Sequence, residues 1–177
     1  DLWIVPTNGG ALENITVDNE AYDGNPKYSP DGRYIAYLMQ AIPTFEADRF
    51  RLALYDRKTR DKRVLTEAHD NWVGLFEWAP DSKTIYFTSD HQGTNPLYKV
   101  DIASLKIAEI ANFRTIDSFE ISPDGRSVVV SRRSVAEPRE IWSCRTDGKG
   151  MKRLTTFNKA VEDEVDIRPV EEMWIDS

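Results

Sequence analysis

The sequence predicts an all-β fold, and three observations lead to this prediction. Three segments of similar sequence occur at 27–38, 77–88 and 120–131, each with a Ser/Ala-Pro-Asp-Gly/Ser core, a basic residue and an apolar run. The apolar runs at 34–38, 84–88 and 127–131 are rich in β-branched and aromatic residues, as strands are. No segment shows the long amphipathic periodicity of a helix.

The repeated core has the chemistry of a tight turn between two antiparallel strands. Proline fixes φ near about −65°, aspartate can accept a hydrogen bond from its own downstream backbone, and glycine accepts a positive φ. In the middle copy Ser82 stands where the other copies have Gly32 and Gly125. That turn must therefore tolerate a residue with a Cβ atom.

Each repeat continues in the same way, with two further strands. The predicted third strands are 51–56, 96–101 and 140–145, and the predicted fourth strands are 63–66, 106–110 and 152–155. The start of the chain supplies half a unit, because 2–6, the turn 7–10 and 14–17 match the third and fourth strands of a preceding repeat.

Four antiparallel strands in each unit of about 40–50 residues are typical of a β-propeller blade. The sequence therefore predicts a partial β-propeller over 1–158, about three and a half four-stranded antiparallel blades, with blades near 1–22, 23–70, 71–113 and 114–158. Residues 159–177 are predicted to be a linker, or a first strand, towards a further domain. Because complete propellers usually have about four to eight blades, we expect an exposed sheet face or self-association with a second copy.

Blades pack face to face, so large apolar side chains on alternate strand positions should be buried between them. We assign the four tryptophans of the predicted strands and loops to this packing or to the rim of the central tunnel: Trp3, Trp72, Trp78 and Trp142. The only cysteine, Cys144, cannot form an internal disulfide and is expected to be a small buried side chain.

Charge and composition argue against several classes of partner and cofactor. The chain has 23 basic and 30 acidic residues and a net charge of −7, which disfavours nucleic acid. No apolar run approaches the roughly 20 residues that span a bilayer, so no membrane partner is expected. His69 and His91 are the only histidines, and we expect local hydrogen bonds from them, with no catalytic role, no metal site and no cofactor.

The Ser-Pro-Asp-Gly-Arg pattern resembles the repeats of TolB-like propellers and of the N-terminal propeller in prolyl oligopeptidase-family serine peptidases. Two further stretches are similar to the peptidase group. Residues 135–177 contain Pro138-Arg139-Glu140-Ile141-Trp142 and Leu154-Thr155-Thr156-Phe157-Asn158, and look like the last blade and linker of acylaminoacyl-peptidase and dipeptidyl-peptidase relatives. Residues 45–52 are similar to a loop between second and third strands in bacterial dipeptidyl peptidases.

This resemblance implies a propeller that caps a hydrolase domain with a Ser-Asp-His triad and admits short peptides. The nucleophile of that family lies in a Gly-x-Ser-x-Gly elbow, which this sequence lacks. We therefore expect no catalytic residue in this chain, which alone should be inactive, and two partners, a missing C-terminal α/β-hydrolase domain and peptide substrates. The parent would be a serine exopeptidase that releases dipeptides from peptide N-termini.

Two rival functions remain open at this point, since fold alone does not determine function. One is a TolB-like propeller that serves as a protein-interaction scaffold, and the weaker one is a glycan- or peptide-binding module. Localisation is also open. Dipeptidyl-peptidase relatives are often periplasmic and acylaminoacyl-peptidase relatives cytoplasmic, which slightly favours the periplasm.

The candidate substrate-binding residues are Glu46, Asp48 and Arg49, chosen by topology. If the Pro-Asp-Gly turns join first and second strands at a lower face, loops from second to third strands lie at the opposite, upper face. The fourth strand also ends at the upper face, where the hydrolase partner should be. Glu46 or Asp48 could pair with a peptide ammonium group, and Arg49 could bind a carboxylate or carbonyl, or neutralise its neighbours. The acidic residues of 162–166 and 171–172 are interpreted as a solvated linker.

Overall fold

The computed structural model describes residues 1–168 and 170–175, and in these residues the chain forms fourteen β-strands and one short α-helix. The helix α1 is Lys159–Glu164. The strands form four separate antiparallel sheets, one of two strands and three of four. The half blade consists of β1 (Trp3–Ile4) and β2 (Glu13–Asn14), and the first full blade of β3 (Asp23–Tyr28), β4 (Tyr34–Met39), β5 (Arg51–Asp56) and β6 (Lys62–Val64). The second full blade consists of β7 (Val73–Trp78), β8 (Thr84–Ser89), β9 (Leu97–Asp101) and β10 (Ile107–Ala111). The third full blade consists of β11 (Thr115–Ile121), β12 (Ser127–Ser134), β13 (Glu137–Arg145) and β14 (Lys152–Arg153).

Each full blade is a meander in which strands adjacent in sequence pair in space. The Pro-Asp turns join first and second strands, as the sequence predicts, and Gly32 and Gly125 adopt φ of 70° and 69° there. Ser82 adopts φ of 56° in the middle copy. Its Oγ accepts a hydrogen bond of 3.0 Å from the backbone N–H of Asp31 in the preceding blade. The side chain that glycine lacks therefore ties two neighbouring turns together.

Apolar side chains from alternate strand positions are buried between consecutive blades. On β4, Ile35 and Tyr37 pack towards the half blade, whereas Ala36 and Leu38 pack towards the second full blade. The second and third full blades enclose a further core, in which Phe113 and Val130 are fully buried. Cys144 lies in that core, as predicted, and its burial raises the pKa of the thiol to about 11. The first and second full blades are thus buried on both faces, which is the packing of propeller blades.

The first strands of the three full blades line the centre of the arrangement. A cavity of about 370 Å³ runs between β3, β7 and β11. Lys27 on β3 forms an ion pair with Glu77 on β7. The indole Nε1–H of Trp78 donates a 3.1 Å hydrogen bond to the carbonyl of Lys27. This cavity corresponds to the tunnel of a propeller, open on one side because the blades do not close a ring.

The tryptophan predictions have mixed outcomes. Trp78 is buried between blades, and Trp142 packs against the core of the third blade with the guanidinium of Arg132 at 4.3 Å from its ring centroid. Trp72, 41% exposed, lines the rim of the upper cavity described below. The prediction for Trp3 is wrong, since it is 56% exposed. Leu2 and Ile4 pack on the first full blade, so the side chain between them points away from it.

The segment after the last blade begins with a helix, where the sequence predicts a linker or a strand. Residues Lys159–Glu164 are helical, which excludes a strand over these six positions. The description of 159–177 as a linker and the blade boundaries at 22, 70 and 113 stay predictions. Residues 169, 176 and 177 of this segment lie outside the described residues. In the described part of the chain, no helix has the length and apolar character needed to cross a lipid bilayer.

Two glycines in one turn allow a matched test of contact between blades. Gly148 (φ 82°) and Gly150 (φ 70°) both adopt a conformation that strains alanine by about 1 kcal/mol. A Cβ atom on Gly148 would lie 2.0 Å from the carbonyl oxygen of Ile110 in the neighbouring blade, whereas nothing lies within 4 Å of one on Gly150. We expect Gly148→Ala to lower the free energy of unfolding by about 2 kcal/mol and Gly150→Ala by about 1 kcal/mol in urea denaturation. Equal losses would contradict the blade contact.

Candidate functional site: the upper face

The upper face of the blades is where sequence topology predicts substrate access, but Glu46, Asp48 and Arg49 are not among the residues that line the cavity found there. A cavity of about 1030 Å³ opens there. The loop after β8 and the beginnings of β7 and β11 form most of its wall, with Trp72, Asp90, His91, Asp117 and Arg133 among its lining residues. The cavity is thus built from connections that lie opposite the Pro-Asp turns. Connections of this kind commonly carry binding residues on a rigid scaffold.

Each first strand carries a β-bulge near the upper face. The register shifts between Gly24 and Lys27 on β3, between Val73 and Phe76 on β7, and between Ile116 and Ser118 on β11. A bulge inserts an unpaired residue and redirects its side chain. Residues within all three bulges line the cavity: Asn25, Gly74, Leu75 and Asp117. The bulges therefore direct residues of the innermost strands into this space.

Asp48 holds the loop between β4 and β5 in shape. Its Oδ2 accepts hydrogen bonds of 2.6 and 3.0 Å from the backbone N–H groups of Ala41 and Ile42, and Arg51 Nη1 donates to it at 3.1 Å. The side chain is buried, which opposes ionisation, but these hydrogen bonds outweigh burial and lower the pKa of Asp48. Gln40 Nε2 also donates to the carbonyl of Asp48 at 2.6 Å. The carboxylate is thus occupied within the loop.

Arg49 links the same loop to the connection that follows β6. Its Nη1 donates to the carbonyl of His69, and its Nη2 donates to the carbonyl of Glu67 at 2.8 Å and to the Glu67 carboxylate at 3.2 Å. The guanidinium therefore spans two connections on the upper face. Glu46 differs from both neighbours, because it is exposed at the tip of the loop. The structure places all three candidate residues in one loop, with only Glu46 directed to solvent.

His69 and the buried Ser89 form a partly buried pair, whose hydrogen-bond directions indicate a structural role. His69 Nε2 lies 2.8 Å from Ser89 Oγ, and Ser89 Oγ donates its proton to the carbonyl of Trp72 at 2.7 Å. The histidine must then donate to the serine, so it cannot take the serine's proton. Burial, with a contribution from Arg49, lowers the pKa of His69, which keeps the ring neutral. The sequence predicts a local hydrogen bond for His69, whereas its side-chain partner lies 20 residues along the chain, on β8.

Asp117 and two arginines form a cluster that the sequence analysis did not single out. Asp117 Oδ1 accepts a 2.9 Å hydrogen bond from Arg133 Nε, and Oδ2 accepts one of 2.8 Å from Arg139 Nε. Burial alone would raise the pKa of Asp117, but the two arginines outweigh it and hold the pKa below its ordinary value. The only sequence signal for this cluster is that its members fall near the upper ends of three paired strands.

The chain leaves the third full blade through a buried ionic cluster. The Glu140 side chain is 2% exposed and accepts hydrogen bonds from the Thr155 hydroxyl, the Asn158 backbone N–H (2.8 Å) and the Arg153 guanidinium (3.0 Å). Arg153 also pairs with Glu162 of α1 at 3.0 Å. Burial opposes ionisation of Glu140, yet these donors lower its pKa to about 2. The cluster fixes the start of the segment that follows the blades.

The C-terminal segment returns across the upper face. Arg114, which precedes β11, forms an ion pair with Glu172, with 3.4 Å between Arg114 Nη1 and Glu172 Oε1. Between this segment, the loop after β8 and the end of β12 lies a second cavity of about 690 Å³, lined in part by Ile167, Met173 and Trp174. Met173 and Trp174 are nevertheless largely exposed. In the described residues, no group of three or more His, Cys, Asp or Glu side chains is arranged to hold a metal ion.

Comparison with known proteins finds sequence relatives named as dipeptidyl peptidases and as TolB. No family model matches the chain. Dipeptidyl-peptidase 5 of Porphyromonas gingivalis is 27% identical over 175 residues, which are 99% of this chain and 25% of that protein. The chain thus spans about a quarter of the length of this curated relative.

Solved structures with related folds include a TolB protein and a peptidase propeller. TolB from Acinetobacter baumannii superposes with a TM-score of 0.65 at 23% identity, covering 88% of this chain and 37% of that one. The β-propeller domain of the Trilobed protease from Pyrococcus furiosus gives 0.60 at 18% identity, covering 78% and 44%. At these identities the structures show the fold alone. Sequence and fold together confirm the predicted resemblance: this chain is a partial β-propeller, similar along its length to a segment of a dipeptidyl peptidase.

Proposed function

We propose that this chain is the substrate-gating propeller segment of a longer serine exopeptidase that releases dipeptides from peptide N-termini. The observation that carries the proposal is the alignment of 99% of the chain with a segment of dipeptidyl-peptidase 5. Catalysis would reside in an α/β-hydrolase domain outside this chain, with a serine nucleophile activated by a general base. The partners are then that domain and short peptides.

The upper face supplies two functions in this proposal. Its cavity of about 1030 Å³ is of a size that admits short peptides and excludes folded proteins. The loop between β4 and β5 presents the Glu46 carboxylate, which would bind the free ammonium group of the substrate. Asp48 and Arg49 are positioning residues, because their side chains are engaged with the backbone of this loop and of its neighbour.

The role of Glu46 is tested in the full-length protein with Glu46→Gln. We expect kcat/KM on a dipeptidyl arylamide with a free amine to fall about tenfold, because one charge-assisted contact to the ammonium group is lost. Glu109→Gln, which changes an exposed glutamate on the outer strand β10, is the matched control and should leave kcat/KM unchanged. An unchanged kcat/KM in Glu46→Gln would remove this residue from the site.

A TolB-like scaffold that binds other proteins is the second candidate function. It is supported by the superposition with TolB from Acinetobacter baumannii. The coding sequence downstream of residue 177 distinguishes the two functions. About 250 further residues with a Gly-x-Ser-x-Gly elbow, followed by Asp and then His, support the peptidase. A stop codon soon after residue 177 supports the scaffold.

The periplasm is the compartment we favour for the longer protein. The basis is the resemblance of the sequence to dipeptidyl peptidases, which slightly favours this compartment. Fractionation of cells that express the full-length protein tests this. Recovery in the cytoplasmic fraction contradicts it.

A further inference from the structure

The cluster of Asp117, Arg133 and Arg139 has more hydrogen-bond donors than it uses. The Nε–H of each guanidinium donates a hydrogen bond to one oxygen of Asp117. Among the described residues, neither guanidinium makes another hydrogen bond or ion pair, so four Nη atoms have no protein acceptor. The two side chains are 54% and 63% exposed, whereas that of Asp117 is 18% exposed. The carboxylate thus lies beneath two guanidinium groups that face outward.

Packing does not explain this arrangement, as comparison with the neighbouring Arg132 shows. Arg132 is 13% exposed, stacks on Trp142, pairs with Glu137 and donates to the carbonyl of Phe113. The guanidinium of Arg132 is therefore engaged in contacts within the fold. Arg133, the next residue, lies where the β12–β13 register shifts, and Asp117 lies at the β11 bulge. Both residues of this pair thus lie at irregularities of the strand pairing.

The charge of the cluster favours an anionic ligand. One carboxylate and two guanidinium groups carry a net charge of +1, in a chain whose net charge is −7. The two Nη atoms of a guanidinium present parallel N–H groups that match the two oxygens of a carboxylate. Asp117 and Arg133 both line the upper cavity, so a ligand in that cavity can reach the Nη atoms of Arg133.

We propose that Arg133, which lines the upper cavity, and Arg139 beside it, both bonded to Asp117, form a binding site for a peptide carboxylate at the edge of that cavity. The C-terminal carboxylate of a short peptide and an acidic side chain share the chemistry that this site recognises. That the bound peptide is a substrate rests on the proposed function, whereas the binding itself does not. In a peptidase, such a site would favour short peptides whose C-terminus reaches this wall.

The test uses calorimetric titration of the 177-residue chain with three amine-blocked probes. These are acetyl-Ala-Ala-Ala with a free C-terminus, the same peptide as its amide, and the amide of acetyl-Ala-Asp-Ala. Blocked amines remove any contribution from Glu46, and binding requires no hydrolase domain, so failure here and failure of the proposed peptidase function are distinguishable. We expect the free-carboxylate peptide to bind at least about tenfold more tightly than its amide. The aspartate-containing amide then tells whether a side-chain carboxylate serves equally well.

Variants assign the preference to the two arginines. Arg133→Gln combined with Arg139→Gln should abolish the preference for carboxylate over amide. Arg145→Gln should retain it, because Arg145 is an equally exposed arginine paired with Asp147 at the opposite end of β13. If the double variant does not fold, Arg139→Gln alone, which leaves the pair of Asp117 and Arg133 intact, should weaken the preference. Equal binding of the two alanine peptides to the wild type, or a full preference in a folded double variant, would overturn the proposal.

Discussion

Glu140→Gln is expected to lower the free energy of unfolding at neutral pH by about 3 kcal/mol, and the melting temperature by about 6–12 °C. The carboxylate of Glu140 is buried and receives hydrogen bonds from Thr155, Asn158 and Arg153. An amide cannot accept at its nitrogen, and it removes one of the two carboxylates that pair with the partly buried Arg153. Thermal unfolding of the 177-residue chain followed by circular dichroism measures the change.

The effect of Glu140 should depend on pH in a specific direction. Its pKa is about 2 in the folded chain and about 4.3 in an unfolded one, so its stabilisation is complete above about pH 4.5 and is lost as the pH falls towards 2. The difference in stability between wild type and Glu140→Gln should therefore shrink over that interval.

Glu162→Gln is the matched control for Glu140, since Glu162 pairs with the same arginine from the more exposed helix α1. It should change stability by less than about 1 kcal/mol. Equal effects of the two substitutions would show that Glu140 does not stabilise the start of the segment that follows the blades more than Glu162 does.

The blade repeat could be predicted because each of its turns is a local signal. Proline, aspartate and a residue with positive φ each restrict or bond the backbone next to them. The three hairpins can therefore be predicted from the sequence without tertiary information. The orientation of Trp3 is not local. It depends on which face of β1 the first full blade covers, and a strand of two residues offers no alternation from which to decide.

The position of the candidate loop could be predicted from the sequence, but the contacts of its side chains could not. Topology correctly puts the loop of Glu46, Asp48 and Arg49 opposite the Pro-Asp turns. It cannot say that Asp48 accepts N–H groups from residues 41 and 42, because those bonds depend on how an irregular loop folds back. Asp117 and Arg133 were missed for a related reason: a bulge breaks the alternation from which side-chain direction is inferred.

Removal of the Asp48 side chain tests whether this residue builds the loop that presents Glu46. Asp48→Ala leaves the N–H groups of Ala41 and Ile42 without their acceptor and Arg51 without a buried counter-charge. We expect the free energy of unfolding to fall by about 3 kcal/mol. Amide hydrogen exchange in residues 41–50 should rise more than in the blade strands, since the lost bonds are confined to the loop.

Two further substitutions separate the structural contribution of Asp48 from that of charge at the upper face. Asp48→Asn keeps an oxygen for the two N–H groups, so it should lose less stability than Asp48→Ala. Glu46→Ala removes an exposed carboxylate from the same loop and should leave both stability and exchange unchanged. If Asp48→Ala unfolds like the wild type and its loop exchanges no faster, the carboxylate is not what holds this loop. The proposal that Asp48 is a positioning residue for the loop that presents Glu46 would then be wrong.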